Sequence, residues 1–145
     1  MTSPNTGLTD TPGGIRVPAA IAQQLISTYK AEEGWPPDKT RAVWFSRDSI
    51  IDIQALIDEN DGDGIRIYFG KYTSDVDVAG TPDPAYKGKV TLVFIPTLPA
   101  SDGSHQDLFS PTTASPADDG GEGYDHGGLC PPNCGQTPPP PPTNP

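Results

Sequence analysis

The sequence predicts a small α+β domain, with two helices and a mainly antiparallel three-stranded sheet, flanked by an extended N-terminal arm and a long Pro/Gly-rich C-terminal tail. Three observations predict it. Apolar residues recur at helical spacing in two early stretches, 18–33 and 46–58. Two later stretches, Ile65–Phe69 and Val90–Ile95, read as strands joined by a polar loop without a helical pattern, which favours antiparallel pairing over a parallel crossover. All nine Lys and Arg residues lie between Arg16 and Lys89, whereas residues 99–145 hold six acidic residues, 11 of the 19 prolines and 7 of the 16 glycines. The expected division is therefore an extended arm over 1–15, the α+β domain over 16–98 and an acidic tail over 99–145.

Taken in order, residues 1–14 are Thr/Pro/Gly/Ser-rich and carry no apolar period. Pro18 suits the first position of a helix, because its missing N–H has no partner to lose there. Ile21, Leu25, Ile26 and Tyr29 then share one face until Gly34 ends the run. Trp35-Pro36-Pro37-Asp38 is a turn whose indole is expected to fold back on the core. Ala42–Phe45 reads as a short buried strand, and Ser46 as the N-cap of a second helix of about 12 residues. Its apolar set, Ile50, Ile51, Ile53, Leu56 and Ile57, is broad for a helix wet on one side. Asn60-Asp61-Gly62-Asp63-Gly64 stops that helix. Ile65, Ile67 and Phe69 alternate with Arg66 and Tyr68 in the next strand, and residues 73–88 form a polar loop. Val90–Ile95 is the most apolar stretch of the chain. After Pro96 the pattern collapses, apart from a single turn at Gln106–Phe109.

Charge and composition narrow the function. The formal net charge of −10 with no basic stripe argues against nucleic acid and anionic membranes. No apolar run approaches the 18 residues or so that cross a bilayer. Residues 1–7 lack the basic and apolar regions of a secretory signal, so the expectation is cytoplasmic synthesis without Sec export, with other export routes left open. No cofactor is implied: no phosphate-cradling glycine loop appears, and Gly62-Asp63-Gly64 carries carboxylates that would repel a phosphate. No Ser/His/Asp signature or carboxylate pair framed by apolar residues appears, so no catalytic residue is expected. An EF-hand alignment of Glu59, Asp61, Asp63 and Gly64 puts Gly70 where a bidentate Glu is needed, which leaves a helix-stopping turn.

Cys130 and Cys134, spaced C-x3-C around Pro131-Pro132, differ from a thioredoxin-type C-x2-C. Three readings stay open: a local disulfide, a metal site that would recruit His126, or inert thiols. Pro138, Pro139, Pro140, Pro141 and Pro142 form a polyproline II segment, suited to an aromatic groove on a partner or on a neighbouring copy.

Gly64-Ile65-Arg66-Ile67-Tyr68-Phe69-Gly70-Lys71-Tyr72, then Thr91-Leu92-Val93 and the ending Cys130-Pro131-Pro132-Asn133-Cys134, resemble a group of small uncharacterised bacterial proteins. The group shares an N-terminal helix, a strand like Trp44-Phe45-Ser46, the GIRIYFG strand and a C-P-P-x-C ending. The likeness covers about residues 17–134. It implies the same fold and no particular activity. Members often carry a cysteine before the GIR strand, where this chain has Asn60-Asp61-Gly62-Asp63.

The sequence thus points to a non-enzymatic structural or interaction protein that assembles with itself into an oligomer or filament through its arms. Tyr124, Leu129, the Cys130–Cys134 knot and Pro138–Pro142 are the expected docking elements, and an exposed edge at Ile65–Phe69 or Val90–Ile95 is the expected acceptor. The alternative is a small metal- or redox-responsive protein working through His126, Cys130 and Cys134. An adaptor that offers its polyproline end to a groove-bearing partner is a third reading.

Overall fold

The computed structural model describes residues 13–72, 84–113, 121–132 and 134. The chain divides into two units, 1–36 and 37–145.

In the first unit, α1 spans Ala19–Glu33. Pro18 sits just outside the helix as its N-cap, with its carbonyl accepting from Ile21 and Ala22 N–H at 3.0 and 3.1 Å. Gly34 ends the helix at φ 78°, where a residue without Cβ is favoured, and its N–H reaches the Lys30 carbonyl at 2.9 Å. Trp35 is half-buried, and the Lys30 ammonium lies 4.8 Å from its ring centroid. No residue of α1 is buried, and Ile21, Leu25, Ile26 and Tyr29 are all exposed.

The second unit contains β1 (Ala42–Trp44), α2 (Arg47–Glu59), β2 (Gly64–Lys71), a 3-10 turn at Pro84–Tyr86, β3 (Val90–Pro99), β4 (His105–Asp107) and β5 (Gly128–Cys130). The fold class is the expected one, α+β with two helices and an antiparallel three-stranded sheet. The sheet's membership differs. It runs β2-β3-β4, while β1 leaves it to pair with β5 in a separate two-stranded sheet. The third strand is thus the segment expected to form a turn at 106–109. Ala100–Ser104 makes the connection, with Gly103 at φ 86° and Asp102 accepting from the Ser104 N–H and hydroxyl.

Ser46 caps α2 as expected, its hydroxyl oxygen accepting from the Ser49 N–H at 3.0 Å. At the other end the Asn60 amide donates to the Leu56 carbonyl, Asp61 turns the chain at φ 54°, and Gly62 N–H returns to the Ile57 carbonyl. The turn needs Gly62, because a Cβ there would lie 2.8 Å from the Thr97 carbonyl oxygen. Of the broad apolar set of α2, Ile53 and Leu56 are buried, while Ile50 and Ile51 are about 60% exposed.

Residues directly opposite in an antiparallel pair share a face. The β2–β3 register runs unbroken from Gly64–Thr97 to Lys71–Val90. Arg66, Tyr68 and Gly70 therefore share a face with Ile95, Val93 and Thr91, and Ile65, Ile67 and Phe69 share the other with Pro96, Phe94 and Leu92. On the second face Phe45 meets Phe94 at 4.8 Å between ring centroids, and Tyr124 stands 6.3 Å from Phe45. Phe69 and Ile67, by contrast, stay 84% and 50% exposed.

The expected tail begins inside the fold. β3 continues to Pro99, β4 follows, and residues 121–132 return to the domain. Tyr124 makes a two-bond bridge to Phe94, at 2.9 Å each way. β5 pairs Gly128, Leu129 and Cys130 with Trp44, Val43 and Ala42.

Candidate functional site

Two polar clusters lie on the second unit. The first grows from the alternation of β2 and β4. Arg66 and Tyr68, two residues apart, both reach Asp107, which lies opposite Thr97 across the β3–β4 pair. Arg66 donates again to the His105 carbonyl at 3.2 Å. Beside this network the Asp63 carboxylate accepts from the Thr97 hydroxyl at 2.7 Å and faces His105 Nδ1 at 2.6 Å. The Thr97 hydrogen bond, followed by that of His105, holds the Asp63 carboxyl below its ordinary range. Hydrogen bonding to Asp107 raises Tyr68 and likewise raises Arg66.

A carboxylate beside an imidazole suggests a general base, but the nearest hydroxyl does not complete a triad. Thr97 donates to Asp63 rather than to His105, and its side chain is buried. The members satisfy one another across three strands, which suits a clasp holding β4 to the sheet. Of these residues the sequence marks Asp63 alone as a candidate ligand, in the EF-hand alignment that Gly70 defeats. A further signal is a spacing: His105-x-Asp107 puts both side chains on one face of an extended segment.

The second cluster secures the returning segment. Asp125 accepts from the Tyr72 hydroxyl at 2.9 Å and the Thr91 hydroxyl at 2.8 Å. Tyr72 stacks on Tyr86 with centroids 6.0 Å apart, and the Tyr86 hydroxyl accepts the Leu129 N–H at 2.9 Å. Leu129 has no exposed surface and packs in a core with Tyr72, Tyr86 and Val43. Burial pushes the Tyr72 phenol up to about 12. Cys130 and Cys134 form a disulfide, and Arg41 adds an N–H to the Cys130 carbonyl at 2.8 Å.

The expected site residues distribute as follows. Tyr124 and Leu129 both pack onto their own domain, Tyr124 on the Phe94 backbone and Leu129 opposite Val43 of β1. Both sulfurs are joined to one another, so neither remains as a thiolate metal ligand. His126 lies with Nδ1 3.4 Å from Asp125, and among the described residues no group of three His, Cys, Asp or Glu side chains could hold a metal. Pro138–Pro142 and residues 1–12 lie outside the described residues, as do the carboxylates of 73–83. Val90–Ile95 lies in the central strand, where β4 reaches only Thr97–Pro99 and Tyr124 takes the outward backbone groups of Phe94; β2 and β4 are the edge strands.

Two shallow grooves of about 480 and 340 Å³ flank α2, sharing Asp52 and Tyr124 in their walls. Asp48, Glu59 and Glu122 complete an acidic lining suited to cationic rather than phosphate-bearing ligands. Among the described residues no helix is long and apolar enough to cross a membrane. No protein-family model, curated protein or solved structure matches the chain.

Proposed function

We propose that this chain is a non-enzymatic structural subunit that associates with further copies of itself. The supporting observation is the amount of large apolar side chain left uncovered. Ile21, Leu25, Ile26 and Tyr29 are exposed in the first unit, and Trp44, Ile50, Ile51, Ile67 and Phe69 in the second. Scattered exposed apolar residues are ordinary, but residues grouped along one helix and one strand face mark contact surfaces. The intrinsic propensity of a 15-residue helix is also marginal in water, so covering its apolar stripe would stabilise α1. The polar clusters support a structural role too, since their hydrogen bonds hold elements of the chain together.

Light scattering coupled to size exclusion tests this on the full chain. The expected result is a mass above 15.3 kDa that grows with concentration. A single 15.3 kDa species at every concentration would overturn the proposal.

A redox reading is favoured by one observation: Cys134 is exposed while Cys130 is buried beside Leu129. An external dithiol would attack Cys134 Sγ, pass through a mixed disulfide and leave two protein thiols as the dithiol closes to its own disulfide. Reduction would then loosen β5. Assembly unchanged by the Cys130→Ser/Cys134→Ser double substitution would remove support for redox control of association.

A further inference from the structure

We infer that the copies meet edge to edge through β2, pairing antiparallel about a two-fold axis at Ile67; this rests on the self-association proposed above and names its surface. The Tyr72 N–H bonds to the Lys89 carbonyl at 3.0 Å, and bonded positions alternate along an antiparallel pair. The even-numbered residues of β2 therefore direct their N–H and C=O groups at β3. Ile65, Ile67, Phe69 and Lys71 direct theirs outward, and among the described residues no strand pairs with that edge.

Native edges are usually blunted by proline, a bulge or an inward charge. β2 has none of these over its first six residues. It contains no proline, its register is unbroken over eight pairs, and the Arg66 guanidinium is engaged by Asp107. Its outward set begins with three apolar residues, two of which are half or more exposed.

A register centred on Ile67 sets Ile67 against Ile67 of the second copy, and Ile65 against Phe69 of the second copy. All six apolar side chains then lie on one face of a continuous six-stranded sheet, and the outward-directed N–H and C=O groups of both β2 edges find partners. Charge selects the direction. Antiparallel pairing brings Lys71 to the level of the acidic Asp61-Gly62-Asp63 turn of the second copy, whereas parallel pairing in register would set Lys71 beside Lys71. Such an isologous contact closes on itself as a dimer.

Ile67→Cys in the full chain tests the register, since the two introduced thiols would face each other within disulfide reach, Cα atoms about 5.5 Å apart. Mild oxidation should give a covalent dimer through residue 67, located by mass spectrometry, while Ile50→Cys gives none. Phe69→Lys, at a position 84% exposed, should fold normally by circular dichroism and weaken association at least about tenfold. A chain that associates yet neither crosslinks at 67 nor responds to Phe69→Lys would overturn the β2 contact and leave self-association standing. A chain that is monomeric throughout would overturn both.

Discussion

The Tyr72 hydroxyl donates to Asp125 while its ring lies buried against Tyr86, and that burial lifts its ionisation from 10.0 to about 12. Because the folded value exceeds the unfolded one, the resulting stability is complete below pH 10 and is lost as pH rises towards 12. Tyr72→Phe should therefore lower Tm at neutral pH but flatten its decline between pH 10 and 12, as read by thermal melts across that range. Asp63 has the opposite sign. Its folded value lies below 3.8, so its contribution holds above that pH and is lost as pH falls through the folded value. Asp63→Asn should leave a shallower acid limb, measured in the same way. Gly127 is a steric constraint: a Cβ there would lie 2.7 Å from the Phe45 ring. Gly127→Ala should cost about 1–3 kcal/mol in urea unfolding.

At the scale of elements, the returning segment accounts for most of what holds the second unit's flank together. Leu129 is fully buried where β5 meets β1, so Leu129→Ala should cost about 2–5 kcal/mol. The disulfide closes a loop of only a few residues, and its loss in Cys130→Ser/Cys134→Ser should cost about 2 kcal/mol on a chain-entropy scale. Chemical denaturation of each variant checks both figures. What could be read in advance follows from where the determinants lie. α2 carries its own cap and apolar period, β2 its own alternation and β3 a nearly continuous apolar run, so local sequence specified them. β4 and β5 are three-residue strands in a Gly/Pro-rich region, and only the edges of β3 and β1 make them strands. The exposed side of β2 was also hidden. Ile65, Ile67 and Phe69 look like a core face, but Phe45 and Tyr124 gather around Phe94 and leave Phe69 uncovered, while Arg66 and Tyr68 gain Asp107 as a partner. The candidate clusters were hard to read for the same reason: Asp63, Arg66, Thr97 and His105 are brought together by register between strands, and only the His105-x-Asp107 spacing leaves a local trace.

For the whole molecule, a formal charge of −10 opposes association through general repulsion. The nine basic residues all lie before residue 90, so the contact between copies must come from apolar surface and a local match such as Lys71 with the 61–63 turn. Moderate salt should thus strengthen association by screening net repulsion, up to the point where the Lys71 contact is screened as well. Sedimentation equilibrium at two ionic strengths would register the change. The most direct test of the account is the solution mass of the full chain measured by light scattering over a wide concentration range, beside Phe69→Lys. The account predicts a mass that rises above 15.3 kDa with concentration in the natural chain and does so only at about tenfold or more higher concentration in the variant. A natural chain that holds at 15.3 kDa throughout would contradict it.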